Sequence, residues 1–212
     1  MEYDKKFIVI GNINAITYKE IFPLIKENKL WLGYSIHSGD REFKIPPYYP
    51  LEAAGYRVDE CGRKYIRVKG VRWFTNLDHK KRHAEIILYR NYSPEAYPKY
   101  DNYDAINVDK VTDIPCDYDG VMGVPITFLD KYNPNQFEIV GLGNSRDNFM
   151  PNKDYILPKK VLKDGKIVDG GAINCVLAIE MDKKPKNIIY YTSDNSKYLI
   201  APYARILIRR KK

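Results

Sequence analysis

The sequence predicts a mixed α+β fold, in which one strand-helix-strand unit opens the chain and a mainly antiparallel β region follows. Three observations carry that expectation. Phe7–Ile10 is a short unbroken apolar run ending at Gly11, the pattern of a strand covered on both faces in a parallel α/β sheet. A helical spacing of apolar residues comes next and leads into a second apolar run at Leu30–Leu32. From Tyr56 onward, alternation with a period of two replaces it, as expected of half-buried strands. The chain therefore divides into 1–55, the last β-α-β portion of a sheet plus a loop, and 56–212, a mainly β region.

In the opening unit, Asn12–Ile16 turn the chain, and Thr17 with Glu20 three residues on makes a capping-box pattern. It predicts a helix over Tyr18–Asn28 with Ile21, Phe22, Leu24 and Ile25 on its apolar face and Pro23 shortening or bending it. A doubly wound sheet needs several such units. Only one is legible, so the sequence reads as the back portion of something larger.

Gly33–Gly55, with His37, Arg41, Lys44 and the stretch IPPYYP, reads as a surface loop. Tyr56–Leu77 predicts a hairpin turning at Cys61–Gly62, with Tyr65, Arg67 and Lys69 on one face and Ile66, Val68 and Gly70 on the other. Asp78–His83 connect it to a strand at Ala84–Arg90, giving a small antiparallel sheet beside the opening unit. Asn91–Asp119, rich in Tyr, Pro and Asp, reads as a linker with a short strand at Ala105–Val108. A short helix around Thr127–Lys131 precedes a strand at Phe137–Gly141. Strands at Asn174–Glu180, Asn187–Tyr191 and Ala204–Arg209 complete a second sheet, and Gly165–Lys166 is a hairpin tip.

The 212 residues suffice for one substantial domain or two small ones, and 44% apolar content is ordinary for a globular core. Thirty-five Lys and Arg against 27 Asp and Glu leave a net charge of +8, which suits a polyanionic partner and also suits many basic proteins with none. No run approaches a membrane span and MEYDKK is no signal peptide, so a cytoplasmic protein without membrane contact is expected. Cys61, Cys116 and Cys175 are far apart and unpaired by motif, indicating reduced thiols.

The segment GVMGVPITFLDKYNPNQFEIVG resembles the signature of the EcoRI-type adenine-specific DNA methyltransferases. KKFIVIGNINAITYKEIFPLIKENKLWLG, GVRWFTNLDHKKR and the closing YARILIRRK are similar to the same family, in the same order along the chain. The resemblance implies the C-terminal portion of a Rossmann-like class I methyltransferase sheet followed by a DNA-recognition region. It also implies S-adenosylmethionine as methyl donor and adenine N6 in double-stranded DNA as acceptor.

That chemistry needs a glycine-rich turn after the first strand and an Asn/Asp-Pro-Pro-aromatic loop that holds and stacks the flipped adenine. In the family both precede the strand that opens this chain, so the resemblance implies a truncated unit. No catalytic residue is assigned, no cofactor is expected for this chain alone, and S-adenosylmethionine would be held by the missing N-terminal part. Three decoys do not replace those motifs. Ile45-Pro46-Pro47-Tyr48 lacks the polar first residue, Asn133-Pro134-Asn135-Gln136 lacks the ring, and Gly141-Leu142-Gly143-Asn144 is followed by no helical stripe. His79 and His83 are spaced for a shared metal on a helix, but Lys80, Lys81 and Arg82 between them oppose a cation and no carboxylate or thiol cluster completes a site.

Arg63, Lys64, Arg67, Lys69, Arg72, Lys80, Lys81 and Arg82 surround Trp73 and Phe74. Cations interleaved with aromatic rings suit phosphate neutralisation beside a flipped or kinked base pair; a solvated sheet face over a buried Trp73 is the competing reading. Arg146 and Arg41, in polar loops, are further DNA-contact candidates. Asn12 and Asn14 follow the first strand, where α/β sheets bind ligands, and so are candidates for the cofactor or the target base; capping a turn is the equal alternative. The basic tail Arg209–Lys212 reads as solvated. The whole chain is thus expected to be the DNA-binding C-terminal part of an adenine-N6 methyltransferase. Two alternatives are a non-catalytic specificity subunit partnering a separate N-terminal methyltransferase chain, and a basic structural protein.

Overall fold

The computed structural model describes residues 5–35, 40–193 and 196–211; His37 and Lys212 lie outside them. The architecture is mixed, with many short strands in four sheets and few helices among the described residues.

At the centre lies a four-stranded sheet in the order Ile106–Asn107, Met122–Pro125, Arg205–Arg210, Phe137–Leu142, with only its first pair parallel. Alternation along these strands sends side chains to both faces. Ile206, Ile208, Met122, Val124, Phe137 and Ile139 join the largest core, whereas Leu207 joins Leu177 and Ile179 on the opposite side. The closing strand Arg205–Arg210 was expected to complete the second sheet with residues 174–180 and 187–191. It lies instead between Met122–Pro125 and Phe137–Leu142, because three consecutive apolar residues satisfy two buried faces at once.

One face of this sheet is covered by the opening unit, whose Ile16, Phe22, Ile25, Leu30 and Leu32 share its core with Phe74. Here Val71–Thr75 lies between Ile8–Asn12 and Trp31–Leu32 and is antiparallel to both. The two strands of the unit run the same way but are separated, a split β-α-β arrangement in place of the directly parallel pair that the sequence suggests.

The expected burial of Phe7–Ile10 fails as well. Ile8, Val9 and Ile10 are 58%, 54% and 44% exposed, because their strand is the sheet's edge and no described element covers it.

The helix is shorter than predicted, spanning Phe22–Lys26 after a 3-10 turn at Ile13–Thr17. Thr17 does not cap it; its hydroxyl donates to the Asn14 carbonyl at 2.9 Å. Pro23 falls in the first turn, where its missing N–H is not needed, and Asn28, at φ +57°, ends the helix in the left-handed region that Asn tolerates.

The predicted hairpin forms from Tyr56–Val58 and Lys64–Val68, with Gly62 at φ +75° in its turn. Arg41–Ile45, expected in a loop, adds a third strand against Lys64–Val68. Val71–Thr75 does not continue this sheet but leaves for the first one.

Ala84–Arg90 is not a strand. The Gln136 side-chain amide donates to the Ile86 carbonyl and accepts from the Ile86 N–H, both at 2.8 Å, doing for that backbone what a neighbouring strand would do.

The expected linker Asn91–Asp119 contributes Tyr97, Tyr100, Ala105, Ile106, Val108 and Ile114 to the cores, so its aromatic residues are buried structure. A five-stranded antiparallel sheet, ordered Ile167–Asp169, Lys159–Val161, Tyr190–Ser193, Ser196–Ile200, Ile179–Met181, covers the other face of the central sheet. Gly165, at φ +85°, forms the predicted tip between its first two strands.

Candidate nucleic-acid interface

The basic stretch from Arg63 to Arg82 does not form one surface. Alternation on Lys64–Val68 turns Arg67 toward the face bearing Glu42, Lys44, Arg57 and Tyr65, while Lys64 points to the face of Phe43, Ile45 and Val58. Arg67 and Lys69 are exposed. Arg63 is tied to Asp59 at 2.7 Å, and Lys64 donates to the Pro47 carbonyl at 2.9 Å. Arg57 pairs with Glu42 at 2.6 Å and sits over the Tyr65 ring.

On Val71–Thr75 two of the three candidates turn inward. Arg72 is 5% exposed and makes a bidentate pair with Asp130, Nε at 2.9 Å and Nη2 at 3.0 Å. Phe74 is in the main core and Trp73 is half-buried against Gly33. Arg72 and Phe74, both expected at the DNA, are buried, and Arg72 is held there by Asp130 and by the Val71 carbonyl; Trp73, expected with them, is half-buried on the opposite face of the strand.

In the following 3-10 turn, Lys80–His83, Lys80 is exposed and Lys81 half-buried, but Arg82 is 7% exposed. Its guanidinium lies 3.6 Å from the Trp31 ring centroid and donates to Asn28 Oδ1, with Asp78 nearby. Burial pushes its pKa down. The two histidines diverge: His79 Nε2 meets the Leu32 carbonyl at 2.9 Å, while His83 sits against Asp78, whose carboxyl its hydrogen bond holds below the usual carboxylate range. Among the described residues no three ligand-type side chains gather for a metal.

Asn12 is used as a cap. Its Oδ1 accepts from the Asn14 N–H at 3.0 Å and its Nδ2 donates to the Lys69 carbonyl at 2.9 Å, so the turn reading describes it. Asn14 is exposed beside it. Arg146 reaches back to the opening unit, donating to Thr17 Oγ1 at 2.9 Å, and Arg41 donates to the Asp40 carbonyl.

Two of the decoy motifs are turns, closed by Tyr49 N–H to the Pro46 carbonyl and by Gln136 N–H to the Asn133 carbonyl; the third, expected as a turn, begins with the strand end Gly141–Leu142, and its Gly143 is pressed against Leu177. Sequence reasoning passed over Tyr48 and Tyr49, 85% and 52% exposed at the end of the 41–68 sheet. Their signal, two aromatic residues bracketed by prolines, was legible only as a catalytic-loop mimic.

Within residues 41–83, Lys44, Arg67, Lys69, Lys80 and Lys81 remain available to a polyanion.

Residues 1–211 match the sequence model of the family described as "Adenine-specific methyltransferase EcoRI". The chain is 54% identical over 142 residues to the type II methyltransferase M.EcoRI of Escherichia coli, covering 66% of this chain and 44% of that one. It is 40% identical over 146 residues to the type II methyltransferase M.MpnI of Mycoplasma pneumoniae, covering 66% and 44%. Identity to the type II methyltransferase M.MgeORF184P of Mycoplasma genitalium is also 40%, over 147 residues, covering 66% and 45%. The matched part thus spans less than half the length of these curated relatives. No solved structure matches.

Proposed function

The chain belongs to the EcoRI-type adenine-specific methyltransferase family, and from that premise we propose that it is the C-terminal part of a type II DNA adenine-N6 methyltransferase of a restriction-modification system. On this reading it supplies one edge of a Rossmann-like catalytic sheet and a surface that grips double-stranded DNA. The methyl donor, S-adenosylmethionine, is held by residues preceding this chain, and the chain's own residues position the duplex against them.

One observation supports this reading above the rest: the edge strand Ile8–Asn12 presents three consecutive exposed apolar side chains and an unpaired row of backbone groups. A water-facing edge of that composition invites pairing with another strand. A preceding half that ends in a strand would extend the sheet across it and bury Ile8, Val9 and Ile10. The turn at Asn12 would then lie where strand ends of α/β sheets meet their ligands.

A labelled-methyl assay tests this. The purified chain is expected to transfer no label from S-adenosylmethionine to duplex adenine, and to do so once the amino-terminal half of a family methyltransferase is supplied. Turnover by the chain alone would overturn the reading.

A further inference from the structure

The geometry points to a second DNA contact, a trough of three lysines that clamps the phosphate backbone; it rests on the reading of this chain as DNA-binding. Two hollows of about 360 Å³ and 500 Å³ adjoin, sharing Lys81, Val111, Thr112 and Lys131 in their walls, and Lys110 lines the second. The trough is therefore continuous, and three cations converge on it.

They come from separate segments. Lys81 lies in the Lys80–His83 turn, Lys110 immediately precedes the turn Val111–Asp113, and Lys131 follows the turn Ile126–Asp130. Each turn is fixed by a buried neighbour, Arg82, Ile114 and Leu129 respectively. The ammonium groups thus project from anchored backbone, which lowers the ordering cost of binding.

The carboxylates of the trough are largely committed elsewhere. Asp130 is held by Arg72, and Asp109 accepts from Asn107 at 2.7 Å with Arg205 at 3.7 Å. Glu85 also lines the first hollow. None of the three lysines makes an ion pair among the described residues. Uncompensated lysines beside the exposed Thr127 hydroxyl are the donor set that phosphodiester oxygens take. An apolar partner would leave three charges desolvated and unpaired.

The experiment is binding of a short DNA duplex to the chain across a range of salt concentrations. Removing one lysine–phosphate interaction should reduce the slope of log affinity against log salt by about 0.9. The variant Lys81→Ala/Lys110→Ala/Lys131→Ala is expected to lose about 2 to 3 units of slope, and Lys110→Ala or Lys131→Ala alone about one, with unchanged melting temperature. The control Lys163→Ala/Lys166→Ala/Lys186→Ala removes the same charge from exposed sites elsewhere and should leave the slope within about half a unit, since the phosphates neutralised and not the net charge set it. If the wild-type chain binds steeply but the trough variant keeps its slope, or the control loses as much, the trough is not the clamp while the broader reading stands. If the wild type shows no salt-dependent binding at all, both fail.

Discussion

Arg72 and Asp130, 58 residues apart, form a buried bidentate ion pair that fastens the first sheet to the central one. Arg72 lies on the Val71–Thr75 strand and Asp130 ends the Ile126–Asp130 turn. Two segments that resemble the family separately are thereby one structural joint. Removing one partner strands the other charge in the interior, so Arg72→Ala should cost about 3–5 kcal/mol. The double change Arg72→Met/Asp130→Leu leaves no orphan charge and should lie within about 2 kcal/mol of wild type. Urea denaturation monitored by Trp fluorescence measures both.

Arg82 and Lys80 should separate stability from binding, although only one residue lies between them. Arg82→Ala loses the stacking on Trp31 and the bond to Asn28, a cost of about 2 kcal/mol, with little change in the salt slope of DNA binding. Lys80→Ala should melt like wild type and bind with a shallower slope. The paired melting and titration curves of the two variants check this.

This contrast shows where sequence reading reached its limit. Period-two alternation revealed the hairpin at Tyr56–Val58 and Lys64–Val68. Charge composition alone, however, cannot tell Lys80 from Arg82, because a 3-10 turn sends adjacent side chains in different directions. Lys110 and Lys131 meet Lys81 only through tertiary packing, so no local pattern announces them. Phe7–Ile10 has the composition of a buried strand and the position of an edge, and local sequence encodes only the first. The Ala84–Arg90 segment has the composition of a strand, but Gln136 has taken the hydrogen bonds that would have paired it.

Buried tyrosines give the fold an alkaline limit. Burial raises the pKa of Tyr100, whose hydroxyl donates to Asn107 Oδ1 at 2.9 Å. Tyr155 is raised by burial and by its hydrogen bond to Asp101. A raised folded-state pKa means that only the unfolded chain loses these protons near the ordinary value of about 10. Their contribution is therefore complete below that pH and is lost as pH climbs above it. Melting temperature should fall from about pH 10 upward, and Tyr155→Phe should make that fall shallower. Melts taken in steps from about pH 8 to about pH 11 on both proteins decide it.

Gly143 is where the central sheet meets the five-stranded one. A Cβ there would sit 2.3 Å from Leu177 Cδ1 and 2.8 Å from its Cγ. Gly143→Ala should therefore destabilise by about 1–3 kcal/mol through overpacking. Equilibrium denaturation reads the loss, which assigns this glycine to packing and not to a cofactor loop.

The central claim is that the Ile8–Asn12 edge awaits a strand from a preceding methyltransferase half. Amide hydrogen exchange along that strand, with and without the amino-terminal half of a family methyltransferase, tests it most directly. The account predicts that the outward-facing amides exchange freely in the chain alone and become protected in the mixture, in step with the appearance of methyl transfer. Methyl transfer appearing while those amides stay as open as before would contradict it.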